Sequence, residues 1–188
     1  MRIDVKLFTA PGKHVSPELL IPVFHGLIQR GAVADELLID VADYGHVVDG
    51  PGVMLLGHQG QYGYDQIKGK PGLLYSMRRS GVEDALGPSL RYAFAHAVRM
   101  AARLEEEAAL RGKLELDAGN VLVRINDRLR APNDAATAKA LEPEVRAVLE
   151  SVLGAGLAIE PQPSGQELLS FAARAKAPVR AASIAAKV

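Results

Sequence analysis

Apolar and polar residues alternate over 3–8, the period of a half-buried strand, and a polar loop follows over 9–15. The spacing then becomes helical. Ser16 is placed to cap a helix with Pro17 at its first position, Leu19, Leu20, Val23, Phe24, Leu27 and Ile28 fall on one stripe, and Gly31 ends it. Pro22 lacks a donor and crowds the preceding turn, which predicts a kink or a short first turn. Further strands are predicted at 37–41, 53–56 and 73–77, the third strand (53–56) being apolar on both faces as a central strand should be. A long helix is predicted over about 89–111. Leu90, Phe94, Ala97, Ala101, Leu104 and Ala108 share one face of it, and Arg99, Arg103, Glu105, Glu106 and Glu107 lie on a wetted one.

The second half repeats the order of the first: a strand at 121–126, a Pro-containing helix on which Leu141, Val145, Val148, Leu149 and Val152 align, Gly154, and a strand at 157–160. Strand, loop, helix, glycine and strand thus occur twice, over 1–80 and 113–162 with the long helix between, although the two halves share few residues. The expected fold class is α+β: a mixed β-sheet with helices packed mainly on one face, built from two pseudo-repeated, ferredoxin-like strand-helix-strand halves. Ser164-Gly-Gln-Glu167 matches a capping box and predicts a last helix ending near Lys176. A single domain over 1–176 would then be followed by an alanine-rich tail, 177–188, short of large apolar residues and read as flexible or docked on a partner.

Composition narrows the function classes. A chain of 188 residues and 20.0 kDa is long enough for one ordinary core. Lys plus Arg and Asp plus Glu both number 22, aromatic residues are 5% and Trp is absent, so neither a net field nor a stacking surface points to nucleic acid. With no cysteine there is no disulfide, thiolate metal site or cysteine nucleophile. The apolar runs are too short to span a bilayer, and charges interrupt the apolar residues of the first six positions. These features predict a soluble, cytoplasmic protein without nucleic-acid or membrane partners. A small molecule and further copies of the chain are its expected partners.

Acids, histidines, tyrosines and glycines concentrate over 40–65, between apolar strands. Gly57, Gly60 and Gly63 leave room for another backbone or a ligand to approach. The leading expectation is a small-ligand or cofactor site near the end of the third strand, lined by His58, Gln61, Tyr62, Tyr64 and Asp65. Tyr62 and Tyr64 share a strand parity, and the competing reading is a glycine-rich hairpin with half-buried tyrosines. A second expectation is an acid-base or metal-assisted enzyme with His58, Asp40 and Tyr62 as candidate catalytic residues. Asp43, His46 and His58 are its candidate metal ligands, although a straight strand holds the two histidines about 20 Å apart. Asp40 alternates with Leu38 and Ala42 while Asp43 has the opposite parity, so one of the two is expected to face the interior. A third expectation is a homo-oligomeric scaffold. Cofactor, metal and reaction are left unspecified by the residue types.

Other patterns carry less. Gly12-Lys13 lacks the upstream glycine and the Ser or Thr of a phosphate loop. His25 and His96 read as boundary residues on their helices. Ser76 and Ser80, near Arg78 and Arg79, lack the glycines of a nucleophile elbow.

Overall fold

The computed structural model describes residues 1–78, 84–162 and 167–188. Among these residues the chain forms eight strands and four α-helices, in the order β1 (Ile3–Thr9), α1 (Leu20–Gln29), β2 (Leu38–Tyr44), β3 (Gly52–Gly57), β4 (Gly60–Asp65), β5 (Gly72–Met77), α2 (Leu86–Glu106), β6 (Leu116–Ile125), α3 (Ala135–Leu153), β7 (Ala158–Pro161), β8 (Leu169–Arg174) and α4 (Ala181–Ile184). All eight strands join one sheet in the order β2-β3-β4-β5-β1-β6-β8-β7. The class is α+β. Every strand pair is antiparallel, where the sequence predicts a mixed sheet. The reason lies in the crossovers: β1 and β2 run the same way, as do β6 and β7, but β3 to β5 separate the first pair and β8 the second. A helical crossover therefore bridges over intervening strands, and no two parallel strands touch.

Alternation on the central strands sets two faces. Ile3, Val5 and Leu7 are sealed from solvent together with Leu73 and Tyr75 of β5, Val121 and Val123 of β6, and Phe171 of β8. Over them lies α2, which contacts β1, β5 and β6 and buries Leu90, Phe94, Ala97, Ala101 and Leu104 as its periodicity predicts. Each leucine or phenylalanine so removed from water is worth about 1.5–3 kcal/mol, and the alanines less. α1 packs on β2 and β3, and α3 on α2 and β7.

A single 3₁₀ turn at Pro17–Leu19 precedes α1, the short first turn that Pro22 predicts, and Pro22 itself falls in the first turn of the α-helix, where its missing N–H has no helical acceptor to lose. Two local differences from the sequence reading have physical causes. The long helix ends at Glu106, because Glu107 turns to extended geometry (ψ 130), and Ala108 is exposed beyond it. Over 169–174 the chain is strand, not helix. Leu169, Phe171 and Ala173 face the core while Ser170, Ala172 and Arg174 pair along β6 on the other face, so sheet pairing overrides the helical propensity of the alanines. Of the predicted cap, Ser164, Gly165 and Gln166 lie outside the described residues, as do Arg79 and Ser80.

The tail docks on its own chain. Ala181 and Ile184 are buried, α4 packs on α2, and Ala118 N–H donates to Val179 O at 2.9 Å. Among the described residues no helix is long and apolar enough to cross a membrane.

Candidate functional site

The second sheet face carries Asp4, Lys6 and Phe8 of β1. Their register neighbours are Ser76 and Leu74 on β5, Arg124 and Leu122 on β6, and then Ser170 and Ala172 on β8. This face floors a cleft of about 1180 Å³. Its centre is polar and buried: Lys6 is 6% exposed and Asp65 1%. Lys68, in the turn between β4 and β5, reaches Glu167, two residues before β8, with 3.1 Å between Nζ and Oε1, and both line the cleft.

Lys6 Nζ donates to Asp65 Oδ1 at 2.6 Å and to Lys70 O at 2.7 Å, and it sits 5.1 Å from the Phe8 ring centroid. Asp65 Oδ1 also accepts Ile67 N–H at 3.0 Å, which ties the pair to the loop that follows β4. Burial pushes the Lys6 ammonium below its ordinary pKa, and the Asp65 carboxylate opposes that. On the neighbouring row Arg124 Nη2 lies 3.2 Å from Asp4 Oδ2. Burial holds the Asp4 carboxyl above the usual carboxylate range, with Arg124 pulling it back. Among the described residues Asp4 Oδ1 and Arg124 Nε are buried without a hydrogen-bond partner. An unmade hydrogen bond of this kind costs about 1–3 kcal/mol.

A second polar cluster lies on the helix side. Tyr62 Oη is 3.1 Å from His96 Nδ1, and the imidazole is stacked on Tyr75 (4.9 Å between centroids, 10° between planes) and flanked by Tyr92 at 4.4 Å. Tyr75 O–H donates to Glu36 Oε2 at 3.3 Å, and Glu36 Oε1 accepts Gln59 N–H at 2.8 Å, closing the β3-β4 turn. Glycines make this packing possible. A Cβ on Gly57 would lie 2.4 Å from Glu36 Oε1, and one on Gly60 2.4 Å from Tyr75 Oη. Burial raises the Glu36 carboxyl and the Tyr62 and Tyr75 hydroxyls, and lowers His96. His96 also lines a surface cleft of about 480 Å³ along α2, with Arg91, Tyr92, Arg99 and Asp35.

The predicted site residues are distributed over both faces. Tyr62 and Tyr64 do share a parity, but both are core side chains: Tyr62 meets His96, and Tyr64 Oη accepts Val15 N–H at 3.2 Å, pinning the loop before α1. Asp65 and Gln61 point to the opposite face, and of the two Asp65 lines the large cleft. His58 is exposed at the β3-β4 turn, beside Leu37 at the start of β2, whereas Asp43 and His46 are exposed at its far end. The hairpin therefore keeps His58 apart from Asp43 and His46, and among the described residues no group of three or more acids and histidines is placed to hold a metal. Neither Asp40 nor Asp43 faces the interior. β2 is the sheet edge, both carboxylates are exposed, and Asp40 Oδ1 accepts the adjacent Val41 N–H at 2.8 Å.

Sequence reasoning missed Lys6, Arg124 and His96. His96 lies among Ala93, Ala97 and Met100 on the buried stripe of α2, and that was the available signal: a histidine inside an apolar stripe needs a partner. No family model, no curated protein sequence and no solved structure matches this chain.

Proposed function

We propose that this is a small-ligand-binding protein that holds an organic anion in the cleft of the second sheet face. The observation that carries the reading is a charged floor, the buried Lys6 paired with Asp65 and, beside it, Arg124, on a sheet face shaped into a cleft of about 1180 Å³. Among the described residues six Lys and Arg side chains line this cleft against three carboxylates, which favours an anionic partner. Phe8, Leu122 and Ala172 supply an apolar bed for the remainder of the ligand. Asp65 is retained from the predicted ligand-binding set as the anchor of Lys6, while His58, Tyr62 and Tyr64 lie elsewhere.

The test is thermal unfolding with a panel of aliphatic and aromatic carboxylates and phosphates, run on the protein and on Arg124→Met. A ligand present at ten times its Kd adds about 1.4 kcal/mol, or roughly 3–6 °C for a chain of this size. Stabilisation that is lost in Arg124→Met supports the reading. No stabilisation by any member at about 10 mM, together with a ligand-free native mass, sinks it.

One observation favours self-association as a second reading. The edge strand β2 and its flanks expose Leu37, Ile39, Tyr44 and Val48, whereas the opposite edge, β7, is four residues long and ends in Pro161. Sedimentation equilibrium of the protein and of Ile39→Lys distinguishes it: a monomer at all concentrations removes the reading, and a dimer lost in the variant supports it.

A further inference from the structure

The floor of the large cleft has the same chemistry at two ends. Arg124 of β6 lies beside Ser170 of β8, and four residues along the two strands Asn120 of β6 lies beside Arg174 of β8. Between them Leu122 lies beside Ala172, and all six line the cleft. An arginine with a neutral polar neighbour thus marks each end of an apolar saddle, and four residues of strand separate the ends by about 13 Å.

Lys6 and Lys68 are already committed. Lys6, next to Leu122 on β1, turns its Nζ away to Asp65, and Lys68 is paired with Glu167. Glu160 lies beside Ala172 on β7, level with the middle of the saddle, where it repels a carboxylate from the centre and leaves the two ends to attract one. Asp4, the register partner of Arg124, engages it through Nη2 and holds the guanidinium at its own end of the floor, and a guanidinium has five donors to give. Burial disfavours the Asp4 charge that would cancel it. Arg174, at the other end, makes no ion pair among the described residues.

We propose, resting on this cleft as the ligand site, that its anion is an α,ω-dicarboxylate of medium chain length, stretched along β6 and β8 with one carboxylate on Arg124 and the other on Arg174. An extended chain advances about 1.2 Å per bond, so about eight to ten carbons, with a hydrogen bond at each end, fill the span. The methylenes lie on Leu122 and Ala172, and Ser170 and Asn120 hydrogen-bond the carboxylates beside the arginines. A shorter diacid reaches one arginine only, and a monoacid of the same length lays a methyl group against Arg174.

The experiment is calorimetric titration of the full chain, at pH 7 and low salt, with succinate, suberate, sebacate and, as the monoacid of sebacate's length, decanoate. Affinity should rise from succinate to sebacate, and decanoate should bind about fivefold or more weakly than sebacate. Arg174→Met, at an exposed position, should bring sebacate down to the affinity of decanoate and leave decanoate unchanged, while Arg124→Met should weaken both. Equal affinities for sebacate and decanoate, or sebacate binding untouched by Arg174→Met, overturn the dicarboxylate and leave the cleft as a site for another anion. No binding of any of the four at about 10 mM overturns it as well. Stabilisation by another member of the anion panel, lost in Arg124→Met, would then keep the cleft reading, and none would sink both.

Discussion

Lys6 reaches Asp65 across an intervening strand: the two lie on β1 and β4, and the lysine stem passes over Gly72 of β5 to place Nζ 2.6 Å from the carboxylate. Gly72 is the register partner of both Phe8 and Asp65, so it marks the point where this crossing is made. The pair is the most buried ionic contact on the cleft floor.

Gly72→Ala should therefore destabilise the protein. Its Cβ would lie 2.7 Å from Lys6 Cε and 2.5 Å from Leu7 O, and the second of these is backbone that cannot swing aside. A loss of about 1–3 kcal/mol in urea unfolding is expected. An unchanged midpoint would show that the lysine does not take this route.

Removing one member of the pair should cost more than removing both. Lys6→Met leaves Asp65 buried beside an apolar side chain, a loss of about 3–5 kcal/mol, while Lys6→Met with Asp65→Leu removes both charges and should recover much of it. The four-protein unfolding cycle measures the coupling. Additive single effects would mean that the two charges stabilise the fold independently.

Acid should weaken the fold through His96. Burial lowers its folded pKa below the ordinary 6.5, so the unfolded chain binds the proton first as pH falls. Its contribution to stability is complete above pH 6.5 and declines below it, down to the folded pKa, by at most about 1.4 kcal/mol per pH unit. Glu36, Asp4 and Glu105 act with the opposite sign, because their raised values make the folded chain the stronger proton binder. The comparison of melting temperature between pH 5 and 7 in the protein and in His96→Gln isolates the histidine: the slope should flatten in the variant, and parallel curves would count against a depressed pKa.

The C-terminal segment should contribute to stability. Ile184 is 5% exposed against α2, and Asp117 Oδ1 accepts Val179 N–H at 2.9 Å. Ile184→Ala is expected to lose about 2–3 kcal/mol, and a chain ending at Lys176 at least as much. A truncated chain with an unaltered melting temperature would show that the docking carries no energy.

Local pattern revealed the strands and helices whose apolar period is unambiguous, such as Ile3, Val5 and Leu7 on β1 and Leu90, Phe94 and Ala97 on α2. It failed where pairing decides. Leu169, Phe171 and Ala173 become strand only because β6 offers them partners, and the alanine-rich tail has its place because α2 leaves one open. The candidate site was legible by halves. Tyr62 and Asp65 stand out within a glycine-spaced run, but the groups that give them a role, His96 and Lys6, are distant in sequence. Lys6 reads as the wet side of an alternating strand. Only the central position of that strand in the sheet, with Lys70 and Asp65 folded against it, makes it a buried cation.

That central position also orders the assembly of the molecule in time. β1 leaves the ribosome before β5 and β6, yet Val5 is paired with Tyr75 on one side and Val123 on the other. The middle of the sheet cannot close until β6 has been made, so ring closure over most of the chain precedes the contacts that reward it. Refolding should fall towards the slow end, milliseconds to seconds, expected of domains dominated by distant pairings. A nascent or truncated chain lacking β6 presents β1 as an open row of unpaired N–H and C=O groups beside the apolar Ile3, Val5 and Leu7, which makes β1 the principal aggregation hazard of the incomplete protein.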